Sequence, residues 1–321
     1  MGKRMFDLFR TGTRFLLGAN KLSVLIYHQT LPHYDPMRPD EITAEQFEQH
    51  LRWIKSSFNV LTLDEATSAL KLRRLPPRSL VITFDDGYEN NCSVALPLLE
   101  KYGLVATFFI ATDFVDGGLM WNDRIIETLR IHPSAEIDLN WLTMGVRTIH
   151  TESERQHLAY DLLYKIKHLP PATRQQAVDR ICEGIALPVN LMLSSLQIQK
   201  MDRAGMEIGG HSCSHPILKN LETAALMREV CDNKSFLENL LGHPVRSFAY
   251  PNGVPEKDYD RRCIDTIKRA GYEQAVTTAW GINRSSDNFF QMRRFTPWQK
   301  NRIGFLLQMV RNQLNDTPCI E

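Results

Sequence analysis

Short runs of apolar, β-branched and aromatic residues recur along the chain, and between them the apolar positions spread out to helical spacing. The runs Ser23–Tyr27, Asn59–Thr62, Leu80–Phe84, Val105–Ile110, Met206–Gly209, Arg246–Tyr250 and Gln274–Thr277 read as strands. Each is largely apolar on both faces, as strands buried in a parallel sheet are. Helix starts are legible as well: Thr43 with Gln46, and Thr151 with Glu154, match the capping box, in which a hydroxyl and an N3 side chain satisfy orphan amides. Phe47, Leu51 and Ile54 then share one helix face. Leu226, Val230, Leu237 and Leu241 share another, in a helix that should stop at Gly242. Alternating strands and helices predict an α/β fold, with its chemistry at the C-terminal ends of the strands.

Residues 117–203 follow a different rhythm. Trp121–Ile131, Glu152–Leu169, Thr173–Glu183 and Ser194–Arg203 read as helices, punctuated by Pro170, Pro171 and Pro188, and predict a helical insertion on the active face of the sheet. At the other extreme, residues 1–20 predict an amphipathic N-terminal helix. Its apolar side, Met5, Phe6, Leu8, Phe9, Phe15 and Leu16, would lie against the domain or make peripheral contact with a membrane. Asp7, Arg10 and Arg14 interrupt any apolar centre of about 7–15 residues, so the segment fits a signal peptide poorly. The expected compartment is the cytoplasm or the cytoplasmic face of the membrane, with periplasmic or extracellular placement left open.

Composition narrows the function classes. The chain has 321 residues, 43% of them hydrophobic, which is ample for a core. No stretch approaches the roughly 20 apolar residues of a spanning helix. With 38 Lys and Arg against 37 Asp and Glu, the net charge is +1, and a partner held by phosphate neutralisation, such as nucleic acid, is not expected. The six cysteines (92, 182, 213, 231, 263 and 319) are dispersed and contain no CxxC pair, which reads as free thiols and not as a disulfide scaffold. Oligomeric state is not legible.

Polar residues interrupt the apolar pattern where strands should end. Asp85-Asp86-Gly87 follows LVITF, His211 follows MEIGG, Pro251-Asn252-Gly253 follows SFAY, and His28 follows VLIY. Taken alone, the paired aspartates could be an Asp-Gly turn with solvated carboxylates, and His28 a strand-end histidine bonded to backbone. Together they suggest a site. Adjacent side chains diverge at a strand end, so one aspartate could bind a metal while the other stays free as a base. His211 and His215, in HSCSH, would lie on one side of a helical turn and could share a cation with a carboxylate. Such a set leaves open positions for water and substrate, and suits hydrolysis of an amide or ester. The backbone N–H of Asn252 could receive the developing oxyanion, and His28 is the candidate acid for the leaving amine. Cys213, between the two histidines, reads as a small buried residue. Trp121, Trp280 and Trp298 could stack on sugar rings, although core packing is the default for any one of them.

The segments VITFDDGY, HSCSH and FAYPNG, in that order, resemble the three main motifs of the polysaccharide deacetylases, the NodB-homology or carbohydrate esterase family four enzymes. The resemblance covers Leu80–Pro297 apart from the insertion. It implies a distorted (β/α) barrel of about seven parallel strands, one domain over residues 21–321, and hydrolytic removal of N-acetyl groups from an oligo- or polysaccharide of amino sugars. By motif position Asp85 would be the base, while Asp86, His211 and His215 would hold a divalent metal, zinc first, with cobalt, nickel or manganese as alternatives. The turn after Pro251, with Asn252, would donate to the oxyanion. Two departures stand out. Ala249 occupies the position where the family often has an arginine that orients the base, and Arg293 or, preferably, Arg294 would replace it. The family's late Leu-x-His motif has no match. However, VLIYHQT is similar to the early Tyr-His segment of the branch that deacetylates poly-N-acetylglucosamine, which gives His28 the acid role by position. Other readings are a deformylase or amidase acting on a lipid-linked or small amino-sugar amide, and an inactive glycan-binding scaffold.

Overall fold

The computed structural model describes residues 20–315 and 317–320; the expected N-terminal helix falls almost wholly outside them. Strands β1 (Lys21–Tyr27), β5 (Ser79–Phe84), β6 (Thr107–Ile110), β9 (Glu207–Gly210), β10 (Ser247–Ala249) and β11 (Gln274–Val276) lie parallel in the order β11-β10-β9-β6-β5-β1. Their registers, with Tyr27 beside Phe84, Phe84 beside Phe108, Ile110 beside Gly210 and Ala249 beside Val276, bring every C-terminal end to one rim. The short β4 (Asn59–Val60) pairs with the start of β5, where β6 has not yet begun. Two small pairs lie apart from this sheet: β2 (Thr30–Leu31) with β3 (Ile42–Thr43), and the hairpin β7 (Glu136–Asp138) with β8 (Val146–Thr148).

An extended segment, residues 292–295, closes the curled sheet. Met292 bridges Val276 and Phe295 bridges Leu25, both in parallel; the Thr277 amide donates to the Met292 carbonyl (2.9 Å) and the Phe295 amide to that of Val24 (3.1 Å). This seventh parallel stretch completes a distorted (β/α) barrel. The sequence pattern hides it, because MRRF places two arginines in a strand that is otherwise buried. After β11 the chain also turns back through β12 (Asn283–Arg284), antiparallel to the start of β1.

Strand alternation divides the core in two. Val24, Val81, Phe109, Ala249 and Met292 line the barrel interior, plugged by Leu63, Ala66 and Leu70 of α2 (Leu63–Lys71). Leu25, Ile82, Phe84, Phe108 and Phe248 face outward, against α1 (Ala44–Ser57), α3 (Leu96–Tyr102), α8 (Thr223–Leu241), α9 (Arg261–Arg269) and α10 (Arg302–Asn312). The capping boxes at Thr43 and Thr151 form, and α8 ends at Gly242 with φ +77°.

The insertion has its own small core, built by α4 (Trp121–Ile131), α5 (Glu152–Ile166) and α6 (Pro171–Ile181) with Met37. Two features differ from the sequence pattern. The β7–β8 hairpin interrupts the helices; its mixed, largely exposed residues carry no apolar run to announce it. And α7 (Ser195–Arg203) buries Ile198 and Met201 in the outer barrel core, so it belongs to the barrel and not to the insertion.

His50 on α1 couples this core to pH. It is 4% exposed, its Nδ1 accepts from the Tyr27 hydroxyl (3.0 Å), and its Nε2 donates to the Gln299 carbonyl (3.1 Å), the tautomer these partners require. Burial pushes its pKa down to about 4. Between the ordinary histidine value and that one, the unfolded chain binds the extra proton, so stability is full above roughly pH 6.5 and is lost as pH falls toward 4, by about 3 kcal/mol in all. His50→Gln should flatten this slope in urea titrations at pH 7 and pH 4.5. An unchanged slope would assign the acid sensitivity elsewhere.

Candidate active site

The residues that follow the strand ends converge on a pocket of about 250 Å³ whose lining includes His28, Asp85, Asp86, His211, His215 and Asn252. Each reaches it by a local break in regular structure. After β5 the chain turns sharply: Asp86 takes a left-handed φ of +75° and the Gly87 amide donates to the Asp85 carbonyl (3.0 Å). The turn sends the two carboxylates in different directions. Such strained turns are held by their surroundings and cluster at functional sites.

Asp85 is 3% exposed and accepts a bidentate pair from Arg294, Nη1 to Oδ1 at 2.6 Å and Nη2 to Oδ2 at 2.8 Å. Arg294 comes from the closing segment and is fully buried; it also donates to the Thr83 hydroxyl (3.1 Å) and the Thr277 carbonyl (3.0 Å). Burial alone would raise the Asp85 pKa, but the Arg294 guanidinium, with His211 nearby, holds it below the usual carboxylate range. At Ala249, where the resembling family often has arginine, the side chain is a buried methyl and the carbonyl accepts from His211. The guanidinium that faces Asp85 therefore enters from a different strand.

Asp86 faces the two imidazoles. Its Oδ1 lies 3.3 Å from His211 Nε2 and 3.4 Å from His215 Nε2, and it is buried without a hydrogen-bond partner. A ligand atom from each of the three residues lies within 4.8 Å of the others. The His211 Nδ1–H donates to the Ala249 carbonyl (2.7 Å), which turns the Nε2 lone pair toward Asp86. A buried carboxylate oxygen left unpaired between two nitrogen lone pairs costs free energy unless something positive shares them. One carboxylate and two imidazoles form a donor set suited to zinc or a similar divalent cation, so these residues fit one. Burial would raise the Asp86 pKa, but the facing histidines hold it far below the ordinary range; burial pushes His215 down to about 4, whereas Asp86 and Asp85 outweigh burial at His211 and hold its pKa above the ordinary histidine value.

HSCSH is not a helical turn. It is a loop after β9 with left-handed φ at Ser212 (+61°) and His215 (+53°). Side chains of α8 shape it: Glu229 accepts from the Cys213 and Ser214 amides (2.8 and 2.9 Å), and the Asn233 amide donates to the Ser212 and Ile110 carbonyls (2.6 and 2.9 Å). Asn233 approaches so closely that a methyl group at Gly210 would overlap its Oδ1 and the Tyr272 hydroxyl. Cys213 lies outside the ligand cluster, its thiol pushed up to about 12 by burial. Cys92, Cys182, Cys213, Cys231 and Cys263 are free thiols.

The remaining candidates come from separate loops. His28 directly follows β1, and its carbonyl accepts from Asn91 Nδ2 (2.9 Å). Asn252 sits at φ +60° in the turn after β10, its carbonyl bound by the Thr278 hydroxyl (2.9 Å). The pocket also takes Glu41, Tyr88, Asn122 and Thr278, which the sequence pattern did not single out. Tyr88 was visible in DDGY; Glu41 and Asn122 had no local signal. Asn122 arrives with α4, fixed by a buried network in which Arg38 binds Asp123 (2.8 Å) and Glu127 (2.6 Å) and the Tyr88 hydroxyl donates to Asp123 (2.9 Å). The insertion thus supplies one wall of the pocket. Trp121 is half-buried with the Arg174 guanidinium over its ring at 5.1 Å, whereas Trp280 and Trp298 are exposed.

Comparison with known proteins shows the family. The model of the polysaccharide deacetylase family matches residues 73–275. The chain belongs to that family. As such it is a hydrolase that removes acetyl groups from polysaccharides. The YxkH protein of Bacillus subtilis (strain 168), which bears a polysaccharide deacetylase name, is 22% identical over 276 residues, 85% of this chain and 70% of that one. A poly-β-1,6-N-acetyl-D-glucosamine N-deacetylase of Staphylococcus aureus (strain MSSA476) is 40% identical over 75 residues, 23% of this chain and 26% of that one. Among solved structures, the Streptococcus pyogenes deacetylase PplD is similar with a TM-score of 0.61 at 19% identity, covering 91% of this chain and 99% of that one. IcaB from Ammonifex degensii is similar with a TM-score of 0.60 at 20% identity, covering 92% and 97%. These two likenesses concern the fold.

Proposed function

We propose that this deacetylase acts on a polymer of N-acetylglucosamine, with Asp85 as base, Asp86, His211 and His215 as ligands of a zinc ion, His28 as acid and Asn252 as oxyanion donor. The observation that carries the reading is the contrast between neighbouring aspartates: Asp85 is locked on Arg294, while Asp86 points an unpaired oxygen at two imidazoles. A zinc ion at that cluster supplies Lewis acidity to the acyl carbonyl and acidifies a bound water.

The chain's own groups do the rest. Asp85 keeps its charge at neutral pH, and each of its oxygens retains a lone pair beyond the one facing Arg294, so it can take a proton from the attacking water. Arg294 fixes the plane of that carboxylate in advance of the reaction. The Asn252 amide donates to the oxygen that gains charge. His28, on the neighbouring strand end, passes a proton to the departing amine. Asn122 and Tyr88 narrow the pocket on the insertion side. The sequence similarity to a poly-N-acetylglucosamine deacetylase, limited to 75 residues, supports the choice of sugar.

The test is acetate release from β-1,6-linked N-acetylglucosamine oligomers of graded length. We expect turnover that a chelator abolishes and added zinc restores. Formate or another acid as product would change the acyl group, and a purified protein with neither metal nor product would favour the scaffold reading.

A further inference from the structure

A second concavity, about 580 Å³, lies on the outer side of the closing segment, between it and α10. Trp280 and Trp298 form one side, their ring centroids 5.1 Å apart and their planes inclined by 33°. They are 37% and 52% exposed. A single exposed indole is ordinary, but two side by side over a concave surface are not. The rest of the lining sets Gln299, Gln308, Arg311, Asn312 and Asn315 among the apolar Phe295 and Leu307. Asn312 is 2% exposed; its Nδ2 donates to the Gly281 carbonyl (2.8 Å), and its Oδ1 is buried without a partner. Buried acceptors of this kind are rare unless something donates to them.

Flat aromatic faces beside amides, a guanidinium and an unsatisfied acceptor match one type of molecule well. A pyranose ring has an apolar C–H face for stacking and a rim of hydroxyl and amide groups that donate and accept. A lipid chain would leave Gln299, Arg311, Asn312 and Asn315 unpaired. The position points the same way: Trp280 is two residues beyond Thr278, which lines the catalytic pocket, and Phe295 in the groove wall is the residue next to Arg294. A glycan leaving the pocket over Thr278 meets the two indoles.

We propose that this groove is a remote subsite for a further sugar ring of the same glycan, so that the enzyme favours oligomers long enough to reach it. The proposal rests on the polymer reading above for the identity of the sugar. It is tested on the full chain by intrinsic fluorescence, with chelator present, during titration with the dimer and the hexamer of β-1,6-linked N-acetylglucosamine, and by kinetics on both with zinc. The hexamer should shift the emission, and Trp298→Ala should abolish the shift. The same substitution should raise KM for the hexamer about tenfold at constant kcat, leave the dimer unchanged, and be rescued by Trp298→Tyr. An unaltered hexamer KM, equal losses on dimer and hexamer, or a shift given by phosphatidylglycerol vesicles and not by the hexamer would overturn it. If no oligomer releases acetate, the polymer reading fails by itself; a hexamer shift lost in Trp298→Ala would still establish the groove, and no shift would overturn both.

Discussion

Asp85→Asn should purify with its metal content intact and release acetate about 10³-fold more slowly, whereas His211→Ala should lose metal and turnover together. The two effects separate because the neighbouring residues do different work. The asparagine keeps the shape and cannot take a proton, which removes a contribution worth roughly 10²–10⁴ in rate. His211 faces Asp86, whereas Asp85 is held by two bonds from Arg294, so the loss of His211 opens the ligand set and leaves the base in place. Metal analysis alongside acetate assays checks both. An Asp85→Asn enzyme of undiminished rate would remove Asp85 from the mechanism.

Arg294→Met should be the costliest single change to stability near the site. Arg294 and Asp85 are both buried and bonded through two contacts, so removing the guanidinium leaves a carboxylate uncompensated, at a cost of about 3–5 kcal/mol. The pH dependence should change sign. In the wild type the Asp85 pKa lies below the ordinary value, so its contribution is present above the usual carboxylate range and is lost as pH falls through the folded value. In the variant, burial dominates and raises that pKa, so the unfolded chain ionises first and stability declines as pH rises past the carboxylate range. Activity needs the ionised base, hence the acid limb of kcat/KM should move to higher pH. Arg294→Lys should fall between, since one ammonium cannot span both oxygens. Urea titrations at pH 5 and pH 8, with a pH–rate profile, are the measurements; a limb that stays in place would mean that Arg294 does not tune the base.

The motifs were legible because strand ends are places where a buried apolar pattern stops abruptly, and a charged residue there stands out. The alanine at position 249 points to an arginine elsewhere in the chain, and the structure brings the Arg294 guanidinium to Asp85. The loop geometry of HSCSH was not legible. Spacing alone suits a helical turn, and what excludes one is the pull of Glu229 and Asn233 from α8 on the loop's backbone. Asn233 falls within the apolar stripe of Leu226, Val230 and Leu237, and a polar residue in such a stripe is the signal that could have been read. Glu41 and Asn122 left no such trace, since each reaches the pocket from an element whose position depends on the Arg38 network and the small β2–β3 pair.

The order of elements, the helix caps and the chemical identity of the groups at the strand ends follow from the sequence by itself, because they depend on periodicity and on neighbours a few residues away. Only the tertiary structure decided that residues 292–295 close the barrel, that Arg294 rather than Arg293 enters it, and that the insertion walls the pocket. Those outcomes turn on which distant surfaces pack together: a buried arginine is tolerable solely where a carboxylate waits for it, and nothing within its own segment shows that Asp85 does.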